Sequence, residues 1–589
     1  MALLFLGLFA FVFTDQPARA QSSGTIIINP DGSISSPVPA NITTSDMVTY
    51  NFNGSNYLPI VVNKSNTIIN GMGHMLQAGS GNVAFYLGYP VHNVTMKNTT
   101  ITNSGWGVEI NSYNNTLSDN TITGNVNWGI EVVYHNDNTL SDNNVTANGN
   151  GIYVTYCNDN ALSGNIVKSN TNYGIDLQVS LNDTLSSNNV NANNYGIALI
   201  SSSNDTLSGN NVTASSGYGI YLTSSSGNVL SGNNVTANTY DGIDLLTSSD
   251  NNTLSGNTVT ANSEYGVYLD SSSGNVLSGN NVTANPNGIH LYSSFDNTLS
   301  GNNIANSIYG ILAYYSDNNT LSGNNFTANS ARGVALYSSS DNNTLSGNNI
   351  ANSACGIELS SSSGNTFYHN NFVDNGQQVY TGGSPNTWDN GYPSGGNYWS
   401  DYVGVDLYHG SGQNNAGGDG IGDANYSIDA NNVDRYPLMA PFKTFSVGTW
   451  NKTAYSVDIV SNSTISAVSF NPYATPEPTL SFDVTGANNT TGFCRVTIPD
   501  TLMWVNTPGE WMIMVNGTLL KTQPYINDTG GYTYIYFNYA HSTETVTIQS
   551  TGAAPEFQPS MLLPLFMIIT LLGAVILKRK RSNGHTFQL

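Results

Sequence analysis

Residues 219–238 read GIYLTSSSGNVLSGNNVTAN, and nearly the same sentence returns about 23 residues to either side. A Gly followed by Ile or Val opens twelve such units, from Gly107 to Gly356, at spacings of 22–24 residues. Behind each Gly comes Leu-Ser-x-Asn or a close relative, giving one Asn per unit from Asn120 to Asn370. Fainter copies precede and follow the series, at Val83–Leu87 and Gln378–Tyr380. Within the unit, apolar residues alternate (Ile220, Leu222, then Leu230, then Val235), and a period of two means strands. The strands are three to five residues long, with Ser, Gly and Asn turns between them. No segment of the repeat has helical periodicity, which excludes helical and leucine-rich arrays.

One such unit cannot bury its own aliphatic side chains. Stacked units can, by piling like residues into columns about 4.8 Å apart. The pattern therefore predicts an all-β fold: a right-handed parallel β-helix of about 12–14 coils of 22–24 residues. Asn in the turns is expected to bond its counterparts in neighbouring coils as an amide ladder. The expected organisation is a signal peptide (1–20), an N-terminal cap (26–60), the β-helix (61–385), an Asp/Gly/aromatic-rich C-terminal cap (386–445), a β-sandwich stalk (446–552), one transmembrane helix (561–577) and a basic cytoplasmic tail (578–589).

Composition narrows the partners. Lys and Arg total 14 against 37 Asp and Glu, a net charge of −23, so no basic stripe exists to meet nucleic acid. The three cysteines, Cys157, Cys355 and Cys494, form neither a disulfide framework nor a zinc spacing. Compartment is read from the ends. An apolar run followed by Ala18-Arg19-Ala20 reads as a cleaved export signal. The charge-free run 561–577 followed by Lys578-Arg579-Lys580-Arg581 reads as a membrane anchor with its C-terminus in the cytoplasm. The expected location is the cell surface.

The GI-x-L and LSGNNVT repeats, closing with His369-Asn370-Asn371-Phe372, resemble the NosD-type right-handed β-helix family over about residues 60–440. That family is also described as a carbohydrate-binding and sugar-hydrolase fold, and its name suggests copper. Pro555-Glu556-Phe557 with the apolar run and basic tail resembles the PEF-type sorting signals of archaeal surface proteins, in which a transpeptidase removes the tail.

Function has to come from the outside of the stack. The residue after each Gly-Ile should point outward: Glu109, Glu131, Tyr153, Asp176, Tyr221, Asp244, Tyr268 and His290 among them. Two residues further on come Tyr292, Tyr314 and Tyr337. Rings that stack on sugar C–H faces, beside carboxylates that bond hydroxyls, suit a polysaccharide. Glu109, Glu131, Tyr153, Asp176, Tyr221, Asp244, Tyr268, Tyr292, Tyr314 and Tyr337 are the candidate glycan contacts. Strict alternation turns the aromatics before each Gly (Trp128, Tyr173, Tyr195, Tyr218, Tyr265) inward as a structural stack. An envelope or adhesion module is the companion reading.

A polysaccharide lyase or glycoside hydrolase is the alternative. A lyase needs a cation beside a uronate, but between residues 60 and 385 only Lys64, Lys97, Lys168 and Arg332 occur, unclustered. A hydrolase needs carboxylates converging within about 5–10 Å. Glu109, Glu131, Asp176 and Asp244 are the ones to test, and no residue is assigned a catalytic role. Copper sites use His, Met and Cys clusters. Here Met72, His74 and Met75 form the only dense group, which argues against a copper-binding accessory role. In the cap, Asp401, Asp406, Asp419 and Asp423 sit among glycines and suit calcium's preference for oxygen.

Overall fold

The computed structural model describes residues 24–450 and 452–554. The stretches read above as signal peptide, PEF-type segment, membrane anchor and basic tail lie outside the described residues. No helix among the described residues is long and apolar enough to cross a membrane.

The chain is a right-handed parallel β-solenoid of about 15 turns. Each turn has three short strands, as in Ile220–Thr223, Val229–Ser231 and Asn234–Thr236. Like residues stack in register: Ile197, Ile220 and Ile243 in the first sheet, Leu207, Leu230 and Leu254 in the second, Val212, Val235 and Val259 in the third. All nine are buried. Each fully buried aliphatic contributes roughly 1.5–3 kcal/mol. The turn count exceeds the 12–14 expected because coils precede the faint copy at Val83–Leu87. Ile26–Ile28, inside the expected N-terminal cap, already pairs parallel with Ile60–Val62, which pairs with Phe85–Leu87.

The corners follow one rule. A residue in the left-handed conformation bends the chain, and a buried polar residue follows it. In the opening stretch these pairs are Ser224 (φ 51°) with Ser225, Gly227 (70°) with Asn228, Gly232 (61°) with Asn233, and Ala237 (57°) with Asn238. Asn233 donates its amide to Asn257 Oδ1 and to the Leu207 carbonyl, both at 2.9 Å. The backbone N–H of Asn233 donates to that same Asn257 oxygen at 2.9 Å. The expected Asn120–Asn370 ladder is therefore one of three. Asn228 and Asn238 stand in two further ladders, and Ser225 in a column of serines. These side chains thus satisfy the backbone groups of their own corners.

By contact the chain divides into two compact units, one running to Asn343 together with Ser353–Ser362, the other comprising Thr344–Asn352 and everything from Ser363 on. In the second unit Trp388 stacks on Phe367 and Trp399 on Phe372, both at 4.2 Å, closing the last coil. The Asn ladder ends there: Asn370 donates to Asn397, whose backbone N–H donates to the buried Asp434 at 2.8 Å.

Beyond the cap lie two five-stranded sheets around one core that includes Leu480, Phe482, Val496, Ile535 and Ile548. The first strand runs Phe442–Trp450, so this module starts before the expected residue 446. A short 3-10 turn, Pro508–Glu510, precedes the strand Met512–Val515.

Candidate functional site

The Gly that opens each unit decides what the first sheet shows to the outside. A Cβ on Gly219 would point into the core, 2.5 Å from Val235 Cγ1 and 2.5 Å from the Gly242 carbonyl. Gly129, Gly174, Gly242 and Gly266 sit in the same way. Gly219 and Ile220 therefore both face inward, and the period-two alternation breaks at the corner. That break corrects the expectation for the aromatics before each Gly. Trp128, Tyr173, Tyr195, Tyr218 and Tyr265 are half-buried on the outer face, not turned into the core.

The outer face thus carries two adjacent columns that pack against each other. Trp128 stacks on Tyr153 at 4.3 Å. Tyr173, Tyr195 and Tyr218 stack in succession at 4.9 and 5.2 Å. Tyr218 meets Tyr221 at 5.5 Å, Tyr265 meets Tyr268 at 4.9 Å, and both rings of the latter pair meet His290 within 5.0 Å. Tyr314 and Tyr337 continue the face at 5.4 Å, where Arg332 pairs with Glu358. A separate set of rings, His92, Tyr113 and His135, stacks at the corner after the first sheet.

The carboxylates of this face fall into two groups. Glu109 and Glu131 are half-buried and in register with each other. Asp176 and Asp244 point outward as expected but are enclosed at 0% and 1% exposure, because the neighbouring rings lean over them. Gln178 donates to Asp176 at 3.0 Å, and Tyr153 donates to Gln178 at 3.1 Å. Burial pushes Asp176 up to about 7. Asp244 has no donor at either oxygen, and Asp241 is its carboxyl neighbour. Asp241 accepts the Tyr265 backbone N–H at 2.8 Å. Burial pushes both acids up, Asp241 to about 6 and Asp244 well above the ordinary range. The charge of Asp241 adds to burial in raising Asp244. His290 is buried with neither ring nitrogen bonded, and burial lowers it to about 4.

The candidate contacts are therefore one surface. Tyr221, Asp244 and Tyr268 are consecutive neighbours across strands, and Tyr153 and Asp176 likewise. Tyr292 is exposed, Tyr314 and Tyr337 half-exposed. Sequence reasoning missed Asp241 and misplaced Tyr218 and Tyr265. The available signal was Asp241 interrupting a column of aromatics before Gly.

The four cap carboxylates do not converge. Asp406 accepts the backbone N–H groups of Asp419 and Gly420. Asp419 accepts from Ile421, Asp423 from Leu407 and Tyr408, and Asp401 from the Tyr426 hydroxyl. Asp419 thus closes a local turn, and the other three tie together segments 13 to 25 residues apart. Among the described residues no group of three or more His, Cys, Asp or Glu side chains is placed to hold a metal ion. The donor set does not fit copper either. Met72 is exposed with its sulfur taking a hydrogen bond from Asn70, and the three cysteines are buried far apart in the chain.

An all-β solenoid with laddered corners and one ring-and-carboxyl face is the class these features define. The family described as periplasmic copper-binding protein (NosD) matches residues 41–228, 206–295 and 261–404, and the chain belongs to this family. No curated protein matches. Among solved structures, the chain is similar to DFA-IIIase from Arthrobacter chlorophenolicus A6 in complex with GF2 (15% identity, 39% of this chain and 71% of that one, TM-score 0.33). It is also similar to the A-module of the Azotobacter vinelandii mannuronan C-5 epimerase AlgE4 (16% identity, 58% and 89%, TM-score 0.28). A third similar structure is the Dettilon tailspike protein gp208 (14% identity, 82% and 87%, TM-score 0.29).

Proposed function

We propose that this chain is an exported, surface-held solenoid whose first-sheet outer face binds polysaccharide. The observation that carries the reading is the run of tyrosine and tryptophan rings from Trp128 to Tyr337, interrupted by carboxyl groups at Asp176, Asp241 and Asp244. Rings offer faces to sugar C–H groups, and the half-exposed tyrosine hydroxyls bond the sugar hydroxyls, with the enclosed carboxyls lying beneath the rings. The chain's net charge of −23 favours neutral chains over anionic ones. The two five-stranded sheets after residue 442 serve as a stalk, and the sequence of the C-terminal segment supplies anchor and sorting signal.

Full-length protein in detergent, applied to an array of polysaccharides, is expected to bind neutral linear polymers. Tyr218→Ala and Tyr265→Ala should each weaken binding about 3- to 10-fold through the lost ring contact. Absence of binding to every polymer would leave only an architectural role in the envelope. The Asp241–Asp244 pair favours a second reading, a polysaccharide-cleaving enzyme. New reducing ends or unsaturated products from a bound polymer, lost in Asp244→Asn, would establish it in place of simple binding.

A further inference from the structure

Outside the solenoid, the module after residue 442 holds a serine, a histidine and a tyrosine in a directed hydrogen-bond chain. Ser463 lies in the turn between strands Thr453–Ser461 and Thr464–Asn471, and His541 between Tyr532–Ala540 and Thr543–Gln549. Ser463 Oγ is 2.8 Å from His541 Nε2 and 2.5 Å from the Tyr539 hydroxyl. On its other side the imidazole Nδ1 bonds Thr490 Oγ1. Thr490 spends its own proton on the Ala487 carbonyl at 2.6 Å, so it accepts from Nδ1–H. That fixes the tautomer: Nε2 is the free base and Ser463 donates to it. Ser463 has one proton, so Tyr539 donates to Ser463 Oγ.

The imidazole is also seated sterically. A Cβ on Gly486 would come within 2.3 Å of His541 Cδ2, and one on Gly492 within 2.7 Å. Two glycines thus clear the plane in which the ring lies. Ser463 lines a groove of about 380 Å3 together with Lys443, Tyr398, Pro441 and Asn462.

We propose that Ser463 and His541 form a nucleophile–base pair that hydrolyses short-chain acyl esters entering this groove. Ser463 Oγ adds to the ester carbonyl carbon while its proton passes to His541 Nε2. The Tyr539 hydroxyl, freed from Oγ, donates to the developing oxyanion. The intermediate collapses by breaking the acyl carbon–alkoxy oxygen bond, and His541 returns the proton to the leaving alcohol. Water then adds to the acyl-serine with Nε2 taking its proton, releasing the carboxylic acid and Ser463. Ester and water in, alcohol and acid out, balances the cycle. Thr490 is a positioning residue, holding the tautomer through Nδ1. The groove has room for an acetyl-sized acyl group and part of a sugar-sized alcohol, so an O-acylated glycan is the class of substrate it fits. The activity stands independently of whether the solenoid binds glycans.

The test treats the full-length protein with a fluorophosphonate and, separately, with p-nitrophenyl acetate. Expected are a phosphonyl adduct located by mass spectrometry at Ser463 and ester hydrolysis that falls roughly 100-fold or more in Ser463→Ala and in His541→Gln at unchanged melting temperature. Thr490→Val should lower kcat with KM unchanged. No adduct at Ser463, or hydrolysis undiminished in Ser463→Ala, would overturn the proposal. The adduct is read on the unsubstituted protein, so it decides even where a variant folds poorly.

Discussion

Replacing Gly219 with valine is expected to break the solenoid at its centre, costing about 3 kcal/mol or more and lowering the urea midpoint of the first unit. The added Cβ would stand 2.5 Å from the Gly242 carbonyl, a backbone atom of the next coil. That atom cannot rotate away as a side chain can, and Val235 closes the other side. Relief requires parting two coils, which opens the Asn238–Asn262 ladder beside them. Overpacking a tight core costs typically 1–3 kcal/mol, and the backbone clash places this site at the upper end. Gly232→Ala is the control. Gly232 has φ 61° with no atom within 4 Å of a built Cβ. Its cost is the left-handed backbone alone, about 1 kcal/mol, and Ala237 already occupies that conformation one corner further on. Denaturant melts of both variants separate the two roles of glycine in a single coil.

Converting Asp183 and Asp205 to asparagine is expected to stabilise the protein, by nothing near pH 4 and by a few kcal/mol at pH 8. These two aspartates stand where the repeat has asparagine. Asn160 donates its backbone and side-chain N–H groups to Asp183 Oδ1 at 2.7 and 3.0 Å, and the Asp183 N–H donates to Asp205 Oδ1 at 2.7 Å. In a normal rung the side-chain amide then donates to the next oxygen. Here that position is Oδ2, which has no partner at either residue. Only a bound proton supplies the missing donor. Burial accordingly pushes Asp183 up to about 7 and Asp205 to about 8, with Asp159 near Asp183 adding like charge. The unfolded chain releases these protons near pH 4, so between about 4 and 8 the native state binds more of them. Stability is then greatest below about pH 4 and is lost progressively as pH rises to about 7–8. The upper bounds are about 4 kcal/mol for Asp183 and about 6 kcal/mol for Asp205. Asn carries its own donor, so the double variant should lose that part of the slope. Thermal melts of both proteins at pH 4 and pH 8 check it; equal gains at both pH values would contradict it.

The repeat made the fold legible because every coil states it again. Gly-Ile, Leu-Ser and Asn-Val-Thr each occupy a strand of the same register, so one correct reading of residues 219–238 places hundreds of others. What the repeat hid was the corner. Alternation read straight through Gly219 puts Tyr218 inside, whereas the missing Cβ lets two consecutive residues face the core and sends Tyr218 out. The same oversight concealed how far the outer face is covered. Asp176 and Asp244 were recognisable as outward positions, but their enclosure depends on rings from neighbouring coils, a contact that sequence spacing does not encode. Asn228 and Asn238 were equally visible in the quoted stretch; their ladders became apparent only once each was seen to follow a left-handed residue. Ser463 and His541, 78 residues apart, carried no local motif at all.

The ring-and-carboxyl face is tested most directly by hydroxyl-radical footprinting of the full-length protein with and without a polysaccharide it retains. Tyr218, Tyr221, Tyr265 and Tyr268 should be protected by the bound chain, while Tyr408 and Tyr532, exposed outside the first sheet, keep their reactivity. A retained polymer that leaves those four tyrosines as reactive as before would contradict the account.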